Sequence, residues 1–545
     1  MEKIVIRPRN LLFLVILAIA AVGNSAGNDV YLAQAAVGGN NGADCADALV
    51  YTFFNSSSNW TSGTPTGTKI GPGTTVHICG TITGTTNFQP FVFQRGGSSG
   101  NPITLKFEAG AAIKPSYCNA NGCIYSDGNS FITVNGGTNG YIQNQLNGTT
   151  DGACPGGTCS ENASVAVEFV ACIGCTVENL GIYDIYDRSS TGDESSAAQG
   201  TTCVYFANQA ASGATNNLIQ NDTIHDCVNG IYYGYGLNDS GVRIMGNTIY
   251  HTNWAIGTNG GSANDTVTGM IISGNTIHDL VTWNDGGLDS PPGTDIFHHN
   301  AIVLFSGNTG TSISAYVYNN YFYGDIGNAT SPMDIQNSSA LADVAYFFNN
   351  LILLSATTNT TGGDGGIYAE NDNSSGSVAF HVYNNTLVGA NTMSGLMSLE
   401  PGITMDARNN IVQNWGTPLQ LADSAGLPSI ENYNDWYQPT VGGNGIWDNN
   451  GHGYTTLSSW QSASGLDLNS VLGNPLLNAN GTLKPGSPAT GLATNLSSIC
   501  SGQPNPGLGA LCFDKAGNPR PSTGNWDAGA YVYTGPASGL TAAGY

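Results

Sequence analysis

The sequence predicts an all-β solenoid: a parallel β-helix with three short strands per coil and a cap at each end. Three observations predict it. The first is a recurring phrase in which an aliphatic strand meets a polar turn and a second apolar strand begins. It reads Ile219-Gln220-Asn221-Asp222-Thr223-Ile224, then Ile244-Met245-Gly246-Asn247-Thr248-Ile249, then Ile272-Ser273-Gly274-Asn275-Thr276-Ile277. It returns at Asn319-Asn320, Asn349-Asn350, Asn384-Asn385 and Asn409-Asn410, each time followed by apolar residues. The second is the spacing. Positions 222, 247, 275, 320, 350, 385 and 410 lie 25, 28, 45, 30, 35 and 25 residues apart, a period near 25 with loops of variable length. The third is composition. Only 9% of residues are charged, but 40% are apolar and alternate in strand fashion, so the low charge does not mean disorder. One coil cannot bury its own apolar face, so neighbours stack at the strand spacing of roughly 4.8 Å and share a continuous core.

The elements follow in chain order. Residues 1–26 read as an export signal: Lys3, Arg7 and Arg9 precede the apolar run Leu11 to Val22, and small residues continue to Ala26. That run is short for a membrane span, so cleavage is expected and an uncleaved anchor is the alternative. Residues 27–115 are expected to form an N-terminal cap module, since the first coil would otherwise expose an unpaired edge. The solenoid is expected over 116–440, with strands on both sides of the Asn turn and a third after a longer loop, as in Gly230-Ile231-Tyr232-Tyr233. Asn suits the tight turn because it tolerates left-handed backbone and its amide can ladder between coils, so these Asn residues are structural rather than catalytic. Residues 441–545 change character and read as a C-terminal cap region, marked by Lys484, Lys515 and Arg520.

Export accounts for the twelve cysteines. Cys45 and Cys79, Cys118 and Cys123, Cys154 and Cys159, Cys172 and Cys175, Cys203 and Cys227, and Cys500 and Cys512 form sequence-local couples, and disulfides are the default in an oxidising compartment. Cys203 and Cys227 stand about one coil apart. The formal net charge of −24, with 13 basic residues, excludes nucleic acid and anionic membrane as partners. Stable membrane insertion after signal cleavage is not expected, and the oligomeric state stays open.

The Asn-ladder repeats resemble secreted right-handed parallel β-helix proteins of the pectin-lyase-like superfamily. So does the terminus Asp514-Lys515-Ala516-Gly517-Asn518-Pro519-Arg520-Pro521 with Asp527-Ala528-Gly529-Ala530-Tyr531, which is similar to one following bacterial surface and secreted β-helices. The resemblance implies a right-handed coil and an extracellular polysaccharide partner. It does not choose among the lyases, hydrolases, epimerases, adhesins and phage spikes that share the architecture.

On the repeat register, one column stacks His225, Tyr250 and His278, and the next stacks Asp226, His251 and Asp279. An Asp–His–Asp stack can supply a proton acceptor or help hold a cation. The catalytic candidates are Asp226, His251, Asp279, Arg188 and His299. Arg188 is the best-placed base for a lyase, with His251 the other proton acceptor. Tyr233, Trp254, Trp283, His225 and His278 are candidates for substrate contact. A pectate-lyase-like elimination implies Ca2+, with Asp184, Asp187, Asp289 and Asp295 as hard oxygen ligands. The segment Phe297-His298-His299-Asn300-Ala301-Ile302 resembles an H-H-D-G-I phrase of some secreted β-helices, with Asn300 and Ala301 replacing the Asp and Gly. Of the polygalacturonase phrases, only Gly451-His452-Gly453 is present. The same His and Asp residues also fit a plainly solvated strand end. Two functions follow: a secreted β-helix that binds an extracellular polysaccharide, with cleavage as a lyase or hydrolase left open, or a non-catalytic cell-surface, adhesin or matrix rod.

Overall fold

In the computed structural model, the described residues are 28–148, 161–188, 200–207, 215–260, 262–280, 283, 300–327, 331–354, 365–391, 393–422, 424–440 and 445–535. Residues 1–26, read as an export signal, Cys154 and Cys159, and Asp289, Asp295 and His299 lie outside them. Among the described residues, no helix is long and apolar enough to cross a membrane.

The chain winds into a right-handed parallel β-helix. One long sheet stacks the strand that precedes each tight turn, from Asp29–Ala33 through Thr75–Cys79, Leu218–Gln220, Arg243–Met245, Thr266–Ser273, Ser312–Tyr318 and Ser377–Tyr383 to Ile430–Asn432. A second sheet carries the short leg after the turn and the longer strand after the loop. The segment read as an N-terminal cap module carries ladder strands of its own, since Asp29–Ala33 and Thr75–Cys79 pair in parallel. Inward positions are aliphatic and repeat in register: Ile219, Ile244, Ile272 and Val317 stack and are wholly buried. Burying each such side chain contributes about 1.5–3 kcal/mol, which an isolated coil could not obtain.

The tight turn divides between two residues the roles expected of one Asn. The first turn position takes left-handed backbone: Asn221 (φ 58°), Gly246 (φ 68°), Gly274 (φ 67°), Asn319 (φ 58°), Asn349 (φ 54°), Asn384 (φ 52°) and Asn409 (φ 66°). These are the residue types that tolerate it. The second position forms the ladder. Asn320 Nδ2 donates to Asn350 Oδ1 (3.1 Å) and to the Ile272 carbonyl (3.0 Å), and its backbone N–H donates to Asn350 Oδ1. The pattern repeats through Asn247, Asn275, Asn350, Asn385 and Asn410 to Asn434.

The C-terminal region does more than close the end. Helix Leu457–Ser464, capped by Thr456 and by left-handed Gly465, buries Trp460 against the last coils. Residues 473–535 then fold back along the flank of the helix, over the first-position Asn row. Asn409 Nδ2 donates to Thr494 O, Asn384 Nδ2 to Asp527 O and Asn349 Nδ2 to Phe513 O. Arg520 Nη2 donates to Asn349 Oδ1, and Lys515 Nζ to the Asn319 and Asn320 carbonyls. A second apolar core fills the seam, with Tyr318, Phe348, Tyr383 and Ile411 against Leu483, Leu496, Leu511 and Trp526.

Five of the expected disulfides are formed: Cys45–Cys79, Cys118–Cys123, Cys172–Cys175, Cys203–Cys227 and Cys500–Cys512. Among the described residues no cysteine is free. Cys172-Ile173-Gly174-Cys175 closes the shortest loop among these bridges.

Candidate functional site

The short leg after each tight turn carries both columns read from the sequence. The register pairs His225 with Tyr250, Tyr250 with His278 and His278 with Tyr323. Tyr183 adds a ring one coil earlier. The five rings stack nearly parallel, with centroids 4.6, 4.5, 4.9 and 4.6 Å apart. Each inner ring therefore spends both faces on its neighbours. Toward solvent the row presents edges, a line of hydroxyl and imidazole groups one strand spacing apart. His225 and His278 can contact a ligand by hydrogen bonding but not by stacking.

The second column is a left-handed bend at Asp184 (φ 51°), Asp226 (φ 57°), His251 (φ 49°) and Asp279 (φ 50°), continuing at Gly324 (φ 79°). Asp and His are among the non-glycine residues most often found in this conformation, so the bend accounts for the residue types. It does not account for their pairing. Asp226 Oδ2 lies 2.5 Å from His225 Nδ1 and Asp226 Oδ1 lies 3.5 Å from His251 Nδ1. His278 Nδ1 lies 2.8 Å from Asp279 Oδ2. Asp184 Oδ2 accepts from Gln143 Nε2 at 2.6 Å. Ligand atoms of Asp184, His225 and Asp226 fall within 4.8 Å of one another.

The two neighbouring carboxyls sit in opposite environments. Burial pushes the Asp184 carboxyl up; the Gln143 hydrogen bond only partly offsets this, and the nearby Asp226 charge adds to it. Burial pushes Asp226 up as well, but hydrogen bonds and charge from His225 and His251 outweigh it and hold it below the usual carboxylate range. The Asp226 hydrogen bond raises His251 above 6.5, against the opposing effect of burial, with the Asp226, Asp279 and Asp187 charges adding to the rise. The Asp226–His251 ion pair therefore spans the interval between a lowered acid and a raised base. Its stabilisation is lost as pH falls through the Asp226 value or rises through the His251 value. Asp226→Asn is expected to return His251 toward an ordinary imidazole titration. Following the His251 ring resonances against pH checks this, and an unchanged His251 titration would refute the coupling.

Other sequence-derived candidates fall elsewhere. Tyr233 is wholly buried, its hydroxyl accepting from Asn217 Nδ2 at 3.0 Å, so it offers no surface to a substrate. Trp283 is 1% exposed, and its Nε1 donates to the His251 carbonyl at 2.8 Å; it supports the site from beneath instead of touching a ligand. Arg188 is 4% exposed with its guanidinium over the Trp283 ring at 5.4 Å, so it is not presented as a lyase base. Trp254 is half-buried on Thr248–Gly260, the same strand that carries Tyr250, stacked on Tyr232 at 6.3 Å. The Asp187 backbone N–H donates to the Asn147 carbonyl. Asn300 Oδ1 accepts from the Ser331 N–H of the next coil, which gives that departure from the H-H-D-G-I phrase a structural use. Gly451-His452-Gly453 begins an antiparallel hairpin with Trp447–Asn449, outside the parallel ladder.

The Ca2+ expectation meets a donor set that fits it poorly. Among the described residues, the group at Asp184 offers two carboxylates and an imidazole nitrogen, with Asp226 already shared by two imidazoles, whereas Ca2+ takes six to eight oxygens; Asp289 and Asp295 lie outside the described residues. The all-oxygen group Glu370, Asp372 and Glu400 lies on later coils, away from this column. What sequence reasoning missed is Asp184 as a member of the column. The signal was there: Gly181-Ile182-Tyr183-Asp184 matches Thr223-Ile224-His225-Asp226, and Ile182 pairs with Ile224.

A scan against protein-family models finds no match to this chain, and a search of curated proteins finds none. Among solved structures it is similar to a GH136 lacto-N-biosidase from Eubacterium ramulus (TM-score 0.39, 13% identity, 78% of this chain and 66% of that one). It is also similar to the pectate lyase Pel9A (TM-score 0.36, 14% identity, 94% and 98%) and to the PL6 family alginate lyase AlyGC (TM-score 0.30, 11% identity, 77% and 53%). The chain thus spans just under two thirds of the first structure's length and about half of the third's.

Proposed function

We propose that this protein is a secreted β-helix that lays a neutral extracellular polysaccharide along the ring row and hydrolyses it with Asp184 and Asp226. The observation that carries this reading is the pair of neighbouring carboxyls whose surroundings push their proton affinities apart, the usual signature of an acid and its partner. Their closeness suits a retaining reaction, in which the two carboxyls stand roughly 5 Å apart. The Asp226 carboxylate attacks the anomeric carbon while the Asp184 carboxyl protonates the leaving glycosidic oxygen, giving a glycosyl ester and a free hydroxyl. Water then attacks the ester, Asp184 takes its proton, and Asp226 leaves as a carboxylate.

Neutrality of the substrate follows from charge. The chain carries −24, Arg188 is buried beside Trp283, and half-buried Lys114 stands two coils before Asp184 over the Tyr141 ring, so uronate carboxylates along the row would meet net repulsion. Disulfides support export. Incubation with a panel of neutral and uronate polysaccharides tests the reading. New reducing ends are expected from a neutral polymer, with the anomeric configuration retained in the first product seen by NMR. Asp184→Asn and Asp226→Asn are each expected to lower kcat by about 10²–10⁴. Unsaturated products absorbing in the ultraviolet, turnover indifferent to both substitutions, or no turnover on any polymer would overturn it.

A further inference from the structure

The first-position turn row lies beneath the C-terminal segment at Asn319, Asn349, Asn384 and Asn409, but it continues past it as Asn221, Gly246 and Gly274. Between that continuation and the segment's Asn505-Pro506 and Phe513 lies an open cavity of about 640 Å³. It stands on the opposite side of the three-residue leg from the ring row, and none of the carboxyls of the proposed reaction lines it.

Its walls specify a ligand class. Phe513 is 38% exposed and Met245 half-buried, so an apolar patch faces the cavity. The exposed amides of Asn221 and Asn505 border it, and an all-apolar ligand would leave them unpaired. No charge is on offer. The Asp514 carboxylate accepts from the N–H groups of Ala516, Asn518 and Val532 and from Asn518 Nδ2, and the Lys515 amine is turned onto the Asn319 and Asn320 carbonyls. An anion finds no partner there and is repelled by the net charge of −24; a cation finds only a saturated carboxylate. The volume is that of a small-molecule site. Gly246 and Gly274 are bare where other coils carry Asn, which is what leaves the space.

We propose that this cavity is a second carbohydrate site, one that holds a neutral sugar unit with its C–H face on Phe513 and Met245 and its hydroxyls on the Asn221 and Asn505 amides. It extends the polysaccharide reading to a different surface and needs no catalysis.

The test is titration calorimetry and saturation-transfer NMR with neutral and uronate oligosaccharides, on the full chain carrying Asp184→Asn so that nothing is cleaved. Gly274→Asn reaches into the cavity without a steric clash, because a Cβ there comes no closer than 3.8 Å to the atoms around it, and its left-handed backbone is one that Asn already takes at Asn319. Gly274→Asn and Phe513→Ala are each expected to weaken neutral oligosaccharide binding at least about tenfold, with Phe513 ring protons perturbed in the parent protein. Uronates are expected not to perturb Phe513. The site is overturned if Gly274→Asn leaves affinity unchanged, if Tyr250→Ala alone removes all binding, or if only uronates or an extended peptide shift Phe513. Loss of hydrolysis in Asp226→Asn with cavity binding intact would separate failure of the cleavage reading from failure of this one.

Discussion

Asp222→Asn is expected to stabilise the protein, and by more at pH 8 than at pH 4. Asp222 stands in the Asn ladder, fully buried, where every later coil through Asn434 has an amide. Its Oδ1 accepts from the Leu180 N–H at 2.8 Å, and its own N–H donates to Asn247 Oδ1. Its Oδ2 has no hydrogen-bond partner, at the point where Asn247 Nδ2 donates to the Ile219 carbonyl one coil on. An amide at 222 would donate there at every pH, whereas the carboxyl can do so only while it keeps its proton. Leaving such a group unsatisfied costs about 1–3 kcal/mol.

Burial also holds the Asp222 carboxyl well above 3.8, with the Leu180 hydrogen bond only opposing. The unfolded chain releases this proton near the ordinary value while the native chain keeps it. Stability from this group is therefore lost as pH rises above the unfolded value, at about 1.4 kcal/mol per pH unit until the native group ionises. Denaturant midpoints at the two pH values check this. An unchanged or lowered midpoint at pH 8 would refute it.

Trp526→Ala is expected to cost about 3–5 kcal/mol and to release the C-terminal segment before the β-helix melts. Trp526 is 1% exposed, donates from Nε1 to the Pro521 carbonyl at 2.7 Å, and lies beneath the Arg520 guanidinium at 5.4 Å. It joins Leu483 and Leu496 to Ile411 of the helix flank. Removing it leaves a cavity at the seam rather than in the coil interior. Hydrogen exchange should rise across 489–530 while the ladder amides stay protected, and a dye that binds apolar surface should report the uncovered Tyr318, Phe348 and Tyr383. A single transition at the wild-type midpoint would contradict this account.

The helix itself was readable because its signal is local and repeated: one phrase supplies the strand, the left-handed turn and the ladder amide. The ring and carboxylate columns followed from the same register. Tyr233 was misjudged through parity. Ile231 points inward, so Tyr233 does too, while Tyr232 is on the outer side, stacked with Trp254. The flank contacts left no periodic trace. Asn409 meets a carbonyl 85 residues away, and Asn349 one 164 residues away, so nothing in the local phrase distinguishes a docked Asn from a solvated one. That is also why the cavity could not be seen: its two walls lie far apart in the chain.

The C-terminal segment also has a consequence for how this chain can change over time. Solenoids ordinarily lengthen or shorten by whole repeats, because each coil touches only its neighbours. Here one continuous stretch of backbone holds Asn319, Asn349, Asn384 and Asn409 at once. It acts as a gauge of fixed length: a coil inserted or deleted between 319 and 409 would throw every later docking contact out of step. Among the described residues the coils before 275 meet this segment only through Ile271 and the cavity wall, so repeat number is freer to drift on that side of the molecule than between 319 and 409.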